Sequence, residues 1–251
     1  MTETGQDRRL AGVWRDARVV DVRHHGDIAV ILRLDVPDRV IHRPGQHYVV
    51  RLRAEDGYTA SRSYSTVSAP SDEYVELYVE RVPDGEVSGY LAEVVEPGDE
   101  LECRGPIGRW FAWDGRSPAL GIGGGSGVAP LVSMLRHASE VGRPELLSLA
   151  VSARTAADLP YREELEAAGA LVALTREPGA MGMGPSRLDG AAVAAIADPG
   201  ATAFVCGSAR FTLAMESYLL SAGQPEGSIR VERFGPSGEI EAATSEEDSD
   251  G

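Results

Sequence analysis

Two rhythms of apolar and polar positions divide the chain. From residue 14 to about 113, the runs DARVVDVRHH, DIAVILRLDV, QHYVVRLRA, YVELYVERV and DELECRGPIG are β-branched or alternating, and Pro37, Pro44, Gly45, Gly57, Pro83, Gly85, Pro97 and Gly98 punctuate them. That spacing predicts strands joined by turns. In YVELYVERV the alternation places Val75, Leu77 and Val79 on one face and Glu76, Tyr78 and Glu80 on the other. Strands at this spacing without intervening helices predict a closed or nearly closed antiparallel barrel. From residue 117, strand-like ALGIG, LLSLAVSA, LVALTRE, TAFVCGS and IRVERF alternate with helical APLVSMLRHASEVG, AADLPYREELEAAG, LDGAAVAAIAD and ARFTLAMESYLLSAG. This is the pattern of βαβ units that build a parallel sheet covered on both faces. The expected organisation is two-domain: an extension over 1–13, an antiparallel β-barrel over 14–115, an α/β domain over 116–236 and a tail over 237–251.

Composition narrows the function classes. The formal net charge of −15 argues against a nucleic-acid partner and against an anionic membrane surface. Six acidic residues fall in the terminal EIEAATSEEDSDG, which has no base and little to bury, so the tail reads as disordered and solubilising. No run reaches the length of a membrane span and MTETGQDRRLAGVWRD is too polar for a signal peptide, so the expected location is cytoplasmic. Cys103 and Cys206 are far apart and lack metal-type spacing. No disulfide is expected, and an iron–sulfur cluster held by four cysteines is excluded. His24, His25, His42, His47 and His137 form no pair with metal spacing, so no metal is expected and each is assigned a structural or surface role.

Two stretches carry candidate chemistry. ALGIGGGSGVAP, residues 119–130, gives up five side chains in twelve positions. Its glycines either only make the turn into the next helix, or let a pyrophosphate lie against bare N–H groups at a helix N-terminus. They follow the first strand of the α/β half and open its first helix, the context a dinucleotide site requires. Pro130 stands where GxGxxG would have its third glycine, and a helix first turn tolerates it. In RSYSTVSAP, Arg62 and Tyr64 share one face of a strand while Ser63 and Ser65 share the other. Arginine suits a phosphate, tyrosine offers a flat face to a ring system, and a serine hydroxyl suits a ring nitrogen. The same tetrad also fits a plain surface strand.

Taken together, RSYS in an antiparallel barrel and GGGSGVAP in an α/β domain resemble the ferredoxin–NADP reductase family of flavin-dependent oxidoreductases. The resemblance spans about residues 14–236 and extends to PGQ at 44–46, GEVSGYL at 85–91, GPIG at 105–108, CG at 206–207 and ERFG at 232–235. It implies a flavin-binding barrel followed by an NAD(P)-binding α/β domain. It places Arg62 on a flavin phosphate, Tyr64 against the isoalloxazine, Ser65 at its N5 edge and Val87 with Ser88 on the pyrophosphate, with Ser63, Val79 and Gly85 completing the flavin site. The match at Gly85, Ser88 and Leu91 favours FAD over FMN. The NAD(P)H pyrophosphate is expected on Gly123, Gly124, Gly125, Ser126, Gly127 and Pro130, with Cys206 and Gly207 beside the nicotinamide and Phe234 near the flavin. Tyr64, Ser65 and Cys206 are thus the candidate catalytic residues. The implied activity is hydride transfer from NAD(P)H to FAD, then electron transfer to a separate protein or small acceptor that no motif identifies. A redox-passive electron-transfer subunit of a larger complex is the alternative.

The choice of coenzyme turns on the second α/β strand. NAD-selective sites carry an acidic residue at its end, about 20 residues past the glycines. Here LLSLAVSA ends in Ser152, Ala153 and Arg154, with no carboxylate before Asp158. Arg154 and Ser152 therefore suit a 2′-phosphate and Tyr161 is placed to cover the adenine, so NADPH is expected over NADH, with NADH still possible. Alternatively Arg154 caps its strand and pairs with Glu163 or Glu164.

Overall fold

The structure is a computed structural model that describes residues 12–177 and 186–234. Nearly all of the expected N-terminal extension, and the whole acidic tail, lie outside those residues.

The first half forms one antiparallel sheet. Strands β1 (Arg15–His25), β2 (Ala29–Asp35), β3 (His47–Arg53), β4 (Thr59–Ser65), β5 (Val75–Glu80) and β6 (Glu100–Ile107) lie in the order β4-β3-β6-β1-β2-β5. An antiparallel bridge between Thr66 and Leu77 brings the two edge strands together and closes the barrel. Inward positions Val30, Leu32, Leu34, Tyr48, Val50, Leu77 and Val79 fill it. One element departs from the expected all-strand pattern: residues Glu86–Glu93 form helix α1. Val87, Ser88 and Leu91 fall on one helical face and are buried, which docks α1 on the barrel core.

In the second half β7 (Ala119–Gly124), β8 (Leu147–Ala153), β9 (Leu171–Leu174), β10 (Thr202–Ser208) and β11 (Ile229–Phe234) form a parallel sheet in the order β11-β10-β7-β8-β9. Helix α2 (Ala129–Glu140) packs Leu131, Val132 and Met134 on one face with Leu149, Val151 and Phe204. The other face, with Leu120, Ile122 and Val205, is covered by α4 (Gly190–Ile196) and α5 (Ala209–Ser221) through Val193, Met215 and Leu219. The helix expected from AADLPYREELEAAG is confined to α3, Arg162–Ala167. It starts late because Tyr161, following Pro160, takes a left-handed conformation, φ 57° and ψ 29°, that no right-handed helix contains.

The two halves share a core. Ala29, Val67, Tyr78, Phe111 and Trp113 from the first half join the α2 side chains in one apolar cluster. As a result both faces of β5 are covered, and Glu76 and Tyr78, expected on a polar face, are only 6% and 5% exposed. Glu76 is nonetheless well partnered. Arg23 Nη2 donates to its Oε2 at 2.8 Å, and Arg136 Nη1 and Tyr161 Oη donate to its Oε1 at 2.9 and 3.1 Å. Beside it, Ser133 Oγ on α2 and the His42 ring both bond the Ser68 carbonyl, at 2.8 and 2.9 Å. Burial lowers the His42 pKa to about 4, so the ring is neutral.

Candidate functional site

The RSYS tetrad occupies the C-terminal end of β4, whose pairing sets Tyr48 opposite Tyr64, Ser63 opposite Val49 and Ser65 opposite His47. β4 is an edge strand of the sheet order, so only one of its sides is fully paired. Arg62 and Ser63 are exposed, Tyr64 is half-buried and Ser65 is buried. Arg62 Nη1 bonds only the neighbouring Ser61 carbonyl, at 2.7 Å. The Tyr64 and Ser65 hydroxyls are both buried without a hydrogen-bond partner. Burial raises the Tyr64 pKa, so the group is a neutral phenol with a donor to offer. Tyr48 Oη, opposite Tyr64 on β3, and Glu232 Oε2 are also buried without a partner among the described residues, so the unpartnered groups of this region include more than the tetrad.

Next to β4 stands the N-terminus of α1. Its first intrahelical bond runs from the Gly89 N–H to the Gly85 carbonyl, and no side chain caps the end. The amides of residues 86–88 therefore have no intrahelical acceptor, and the helix dipole favours an anion there. Gly85 is fixed by packing, since a Cβ would overlap Ser88 Oγ, which itself bonds the Val82 N–H at 3.2 Å. The Tyr58 hydroxyl reaches Glu86 Oε2 at 3.1 Å across the gap between the β3–β4 turn and α1. Val79 and Val87 bury their side chains in the barrel core, which leaves only their backbone to face a ligand.

The glycine-rich turn separates into two kinds of position. A Cβ on Gly127 would overlap the Cys206 backbone, and those on Gly121 and Gly123 would press on Leu131, so the chain's own packing accounts for these three. Gly125 differs: its φ is +58° and a Cβ would meet nothing within 4 Å. It opens a 3₁₀ turn, Gly125–Val128, that runs into α2 with Pro130 in the first turn, and no side chain caps either end. Open space above uncapped amides is a cradle for an anion. Parallel pairing sets Gly124 beside Ser152 and Gly123 beside Cys206, so the turn, the end of β8 and the end of β10 share one sheet edge.

Cys206 is fully buried beneath that edge, and burial raises its thiol pKa well above the usual range. Its neighbour in register on β11 is Glu232. Glu232 Oε2 is buried without a partner, and burial pushes the carboxyl up to about 7. Its Oε1 lies 4.0 Å from His47 Nδ1. His47 is the cross-strand partner of Ser65, so Ser65, His47, Glu232 and Cys206 form a line of neighbours from the barrel to the α/β sheet. Sequence reasoning missed two of the four. His47 was assigned a structural or surface role, and Glu232 entered only as a letter of ERFG. The signal available was the parallel pairing of AFVC with IRVERF, which sets Glu232 beside the cysteine. Phe234 ends β11 opposite Ser208 and packs on the shared cluster, and Gly207 lies one residue beyond Cys206 with φ 154°.

At the end of β8, Arg154 is exposed and its Nε lies 3.4 Å from Asp158 Oδ2. Glu164 pairs with Arg136 instead, at 2.7 Å. The Arg154 carbonyl accepts from the Arg176 N–H at 2.8 Å, which puts a second exposed arginine just past the end of β9. Tyr161, expected over an adenine, turns its hydroxyl inward to Glu76 and its ring edge towards Tyr78, with centroids 6.2 Å apart.

Comparison with known proteins assigns both halves. The oxidoreductase FAD-binding domain family matches residues 21–112, and the oxidoreductase NAD-binding domain family matches residues 122–216. The reductase component of propane 2-monooxygenase from Mycolicibacterium goodii is 32% identical over 167 residues, 64% of this chain and 47% of that protein. The ferredoxin–NAD(P)(+) reductase component of the naphthalene 1,2-dioxygenase/salicylate 5-hydroxylase systems of a Ralstonia species is 29% identical over 220 residues, 82% of this chain and 65% of its own. The chain thus spans about half the length of the propane 2-monooxygenase reductase it matches. Among solved structures, the cytochrome P450 reductase GcoB of Amycolatopsis superposes with a TM-score of 0.74 at 27% identity, over 89% of this chain and 70% of that one. With one half that matches the oxidoreductase FAD-binding domain family and the other the oxidoreductase NAD-binding domain family, the chain belongs to the ferredoxin–NADP reductase family.

Proposed function

We propose that this chain takes hydride from NADPH onto FAD in the cytoplasm and passes the electrons to a separate acceptor, with the barrel over 14–115 holding the flavin and the α/β part over 116–236 holding the coenzyme. The observation that carries the reading is the line Ser65, His47, Glu232 and Cys206, which joins the orphaned hydroxyls of the barrel to the edge that carries the glycine turn. Bound FAD supplies the acceptor for the hydride and the store from which electrons leave.

The chain's residues supply binding and position. Arg62 and the uncapped α1 amides hold the flavin phosphates, with Ser63 and Gly85 shaping the approach. Tyr64 presents its ring face and Ser65 its free hydroxyl to the flavin ring. On the other side, Gly125, Ser126 and the turn amides take the coenzyme pyrophosphate, while Arg154 and Ser152 take the 2′-phosphate. Cys206 stays a neutral thiol, and burial leaves Glu232 only partly ionised near neutrality, which lessens the negative charge at this end of the coenzyme site. Positioning of this kind supplies much of the rate when reacting atoms are held at contact distance. The similarity to oxygenase reductase components makes an oxygenase component, or a redox protein that serves one, the proposed acceptor.

Heat release and chromatography of the flavin from purified protein identifies it, and kcat/KM with a dye acceptor for NADPH and NADH tests the coenzyme. The reading expects FAD and a preference for NADPH of roughly ten- to a hundredfold, lost in Arg154→Ala. Protein that carries FMN, or a preference for NADH, contradicts it at the corresponding half.

A further inference from the structure

Segment 154–161, RTAADLPY, joins the proposed coenzyme edge to α3 and crosses between the two halves. It is fastened at both ends. On the α/β side the Ala156 N–H donates to Glu177 Oε1 and the Arg154 carbonyl accepts from the Arg176 N–H, while the bond from the Asp158 N–H to Thr155 Oγ1 braces the segment internally. On the barrel side, among the described residues, its polar side chains attach through Tyr161, and that attachment is extensive. The hydroxyl donates to Glu76 at 3.1 Å and the ring meets Tyr78 edge-on at 6.2 Å, while the guanidinium of Arg136, from α2 of the α/β half, lies 5.1 Å from its centroid.

Tyr161 makes these contacts from a left-handed backbone, φ 57°, that a side chain with a Cβ adopts only when its surroundings impose it. Glu76 and Tyr78 are two apart on β5 and therefore point the same way, so one rigid barrel strand grips the tyrosine at two points. Arg136 adds a third, since it bonds Glu76 and Glu164 together and Glu164 lies on the helix that Tyr161 precedes. The strand that grips the loop, β5, also leads through Arg81 and Val82 to the α1 segment proposed for the flavin phosphates.

We propose that Glu76 and Tyr161 are positioning residues for the nicotinamide coenzyme: they tether the 154–161 loop to the flavin-binding barrel, so that Arg154 is presented to the 2′-phosphate in register with the flavin half. The inference rests on the coenzyme reading given above. A tether of this kind stores its effect in affinity. It acts on a loop that touches the adenosine end of the coenzyme, far along the molecule from the transferred hydride. Loosening it therefore raises the dissociation constant and KM and leaves the turnover at saturation alone.

The test is calorimetric titration of the flavin-loaded protein with NADP⁺, with NADPH steady-state kinetics alongside, for wild type, Tyr161→Phe, Glu76→Gln and Arg154→Ala. Tyr161→Phe deletes one hydroxyl and keeps the ring, and is expected to weaken NADP⁺ roughly three- to tenfold, with KM rising in step and kcat and flavin content at wild-type level. Glu76→Gln keeps an acceptor for the tyrosine and is expected to fall between the two. If Tyr161→Phe binds NADP⁺ as wild type does while Arg154→Ala binds it more weakly, the coenzyme reading stands and the tether is overturned. Unchanged binding in Arg154→Ala as well overturns both. A Tyr161→Phe protein whose kcat falls while its NADP⁺ affinity holds assigns the residue to the chemistry and also overturns the tether.

Discussion

Strands β4 and β5 meet where the barrel closes, yet their polar residues have opposite fates. On β5, Glu76 is buried and receives three donors from three other elements. On β4, the Tyr64 and Ser65 hydroxyls are buried and receive none. Because an unpartnered buried polar group is costly and a partnered one is not, the first pattern marks a finished structural joint, and the second is the surface proposed above to take the flavin. Polarity alone does not separate them, since both strands carry polar side chains that end up buried. The difference lies in whether the protein itself completes the hydrogen bonds.

That contrast makes predictions of graded size. The largest concerns the finished joint. Glu76→Ala removes the shared acceptor of Arg23, Arg136 and Tyr161 at the junction, although Arg23 keeps Asp21 and Arg136 keeps Glu164, and is expected to cost about 2 kcal/mol in urea unfolding. A loss below about 1 kcal/mol would mean that the joint is not cohesive.

Next comes the orphaned Glu232. Its folded pKa of about 7 lies above the unfolded carboxylate value, so its stabilising contribution is complete at acid pH and fades as pH rises through 7. Between pH 5 and 8 this group should withdraw about 2 kcal/mol, allowing for its partial exposure, and Glu232→Gln should abolish that slope. Equal pH dependence of urea midpoints in wild type and variant would refute the assignment.

Arg62→Ala follows. It tests the ligand-facing strand, where FAD is expected to bind roughly ten- to a hundredfold more weakly while the thermal midpoint of the flavin-free protein holds. Retention of flavin through dialysis at the wild-type level would break the comparison at its β4 side. The smallest effect is Tyr64→Phe. Removal of a hydroxyl without a protein partner should change the stability of the flavin-free protein by less than about 1 kcal/mol, in either direction. A larger loss would show that the hydroxyl has a structural partner after all.

Much of this architecture is legible in the order of residues, because alternation and helical periodicity report burial against a neighbour in the same half. TAFVCGS and IRVERF coincide with β10 and β11 residue for residue. The failures share a cause, since they involve surfaces that only tertiary contact defines. YVELYVERV gave a polar face to Glu76 and Tyr78, whereas the α/β half covers that face. Helix α1 escaped notice because eight residues with a glycine at 89 give periodicity little length to declare itself. Tyr161 is expected over an adenine, whereas its backbone is left-handed and its hydroxyl bonds Glu76. At the site, the RSYS and glycine stretches were visible because each is contiguous. The His47–Glu232 contact was not, as it joins residues 185 positions apart across two sheets.

In the proposed function one flavin, held by β4, is reduced by a coenzyme held at the opposing sheet edge. Anaerobic addition of NADPH to the purified yellow protein, with no acceptor present, probes that step. The flavin absorbance is expected to bleach within the enzyme's turnover time and to return when an acceptor is supplied. Protein that stays yellow under excess NADPH, or that carries no flavin to bleach, would contradict it.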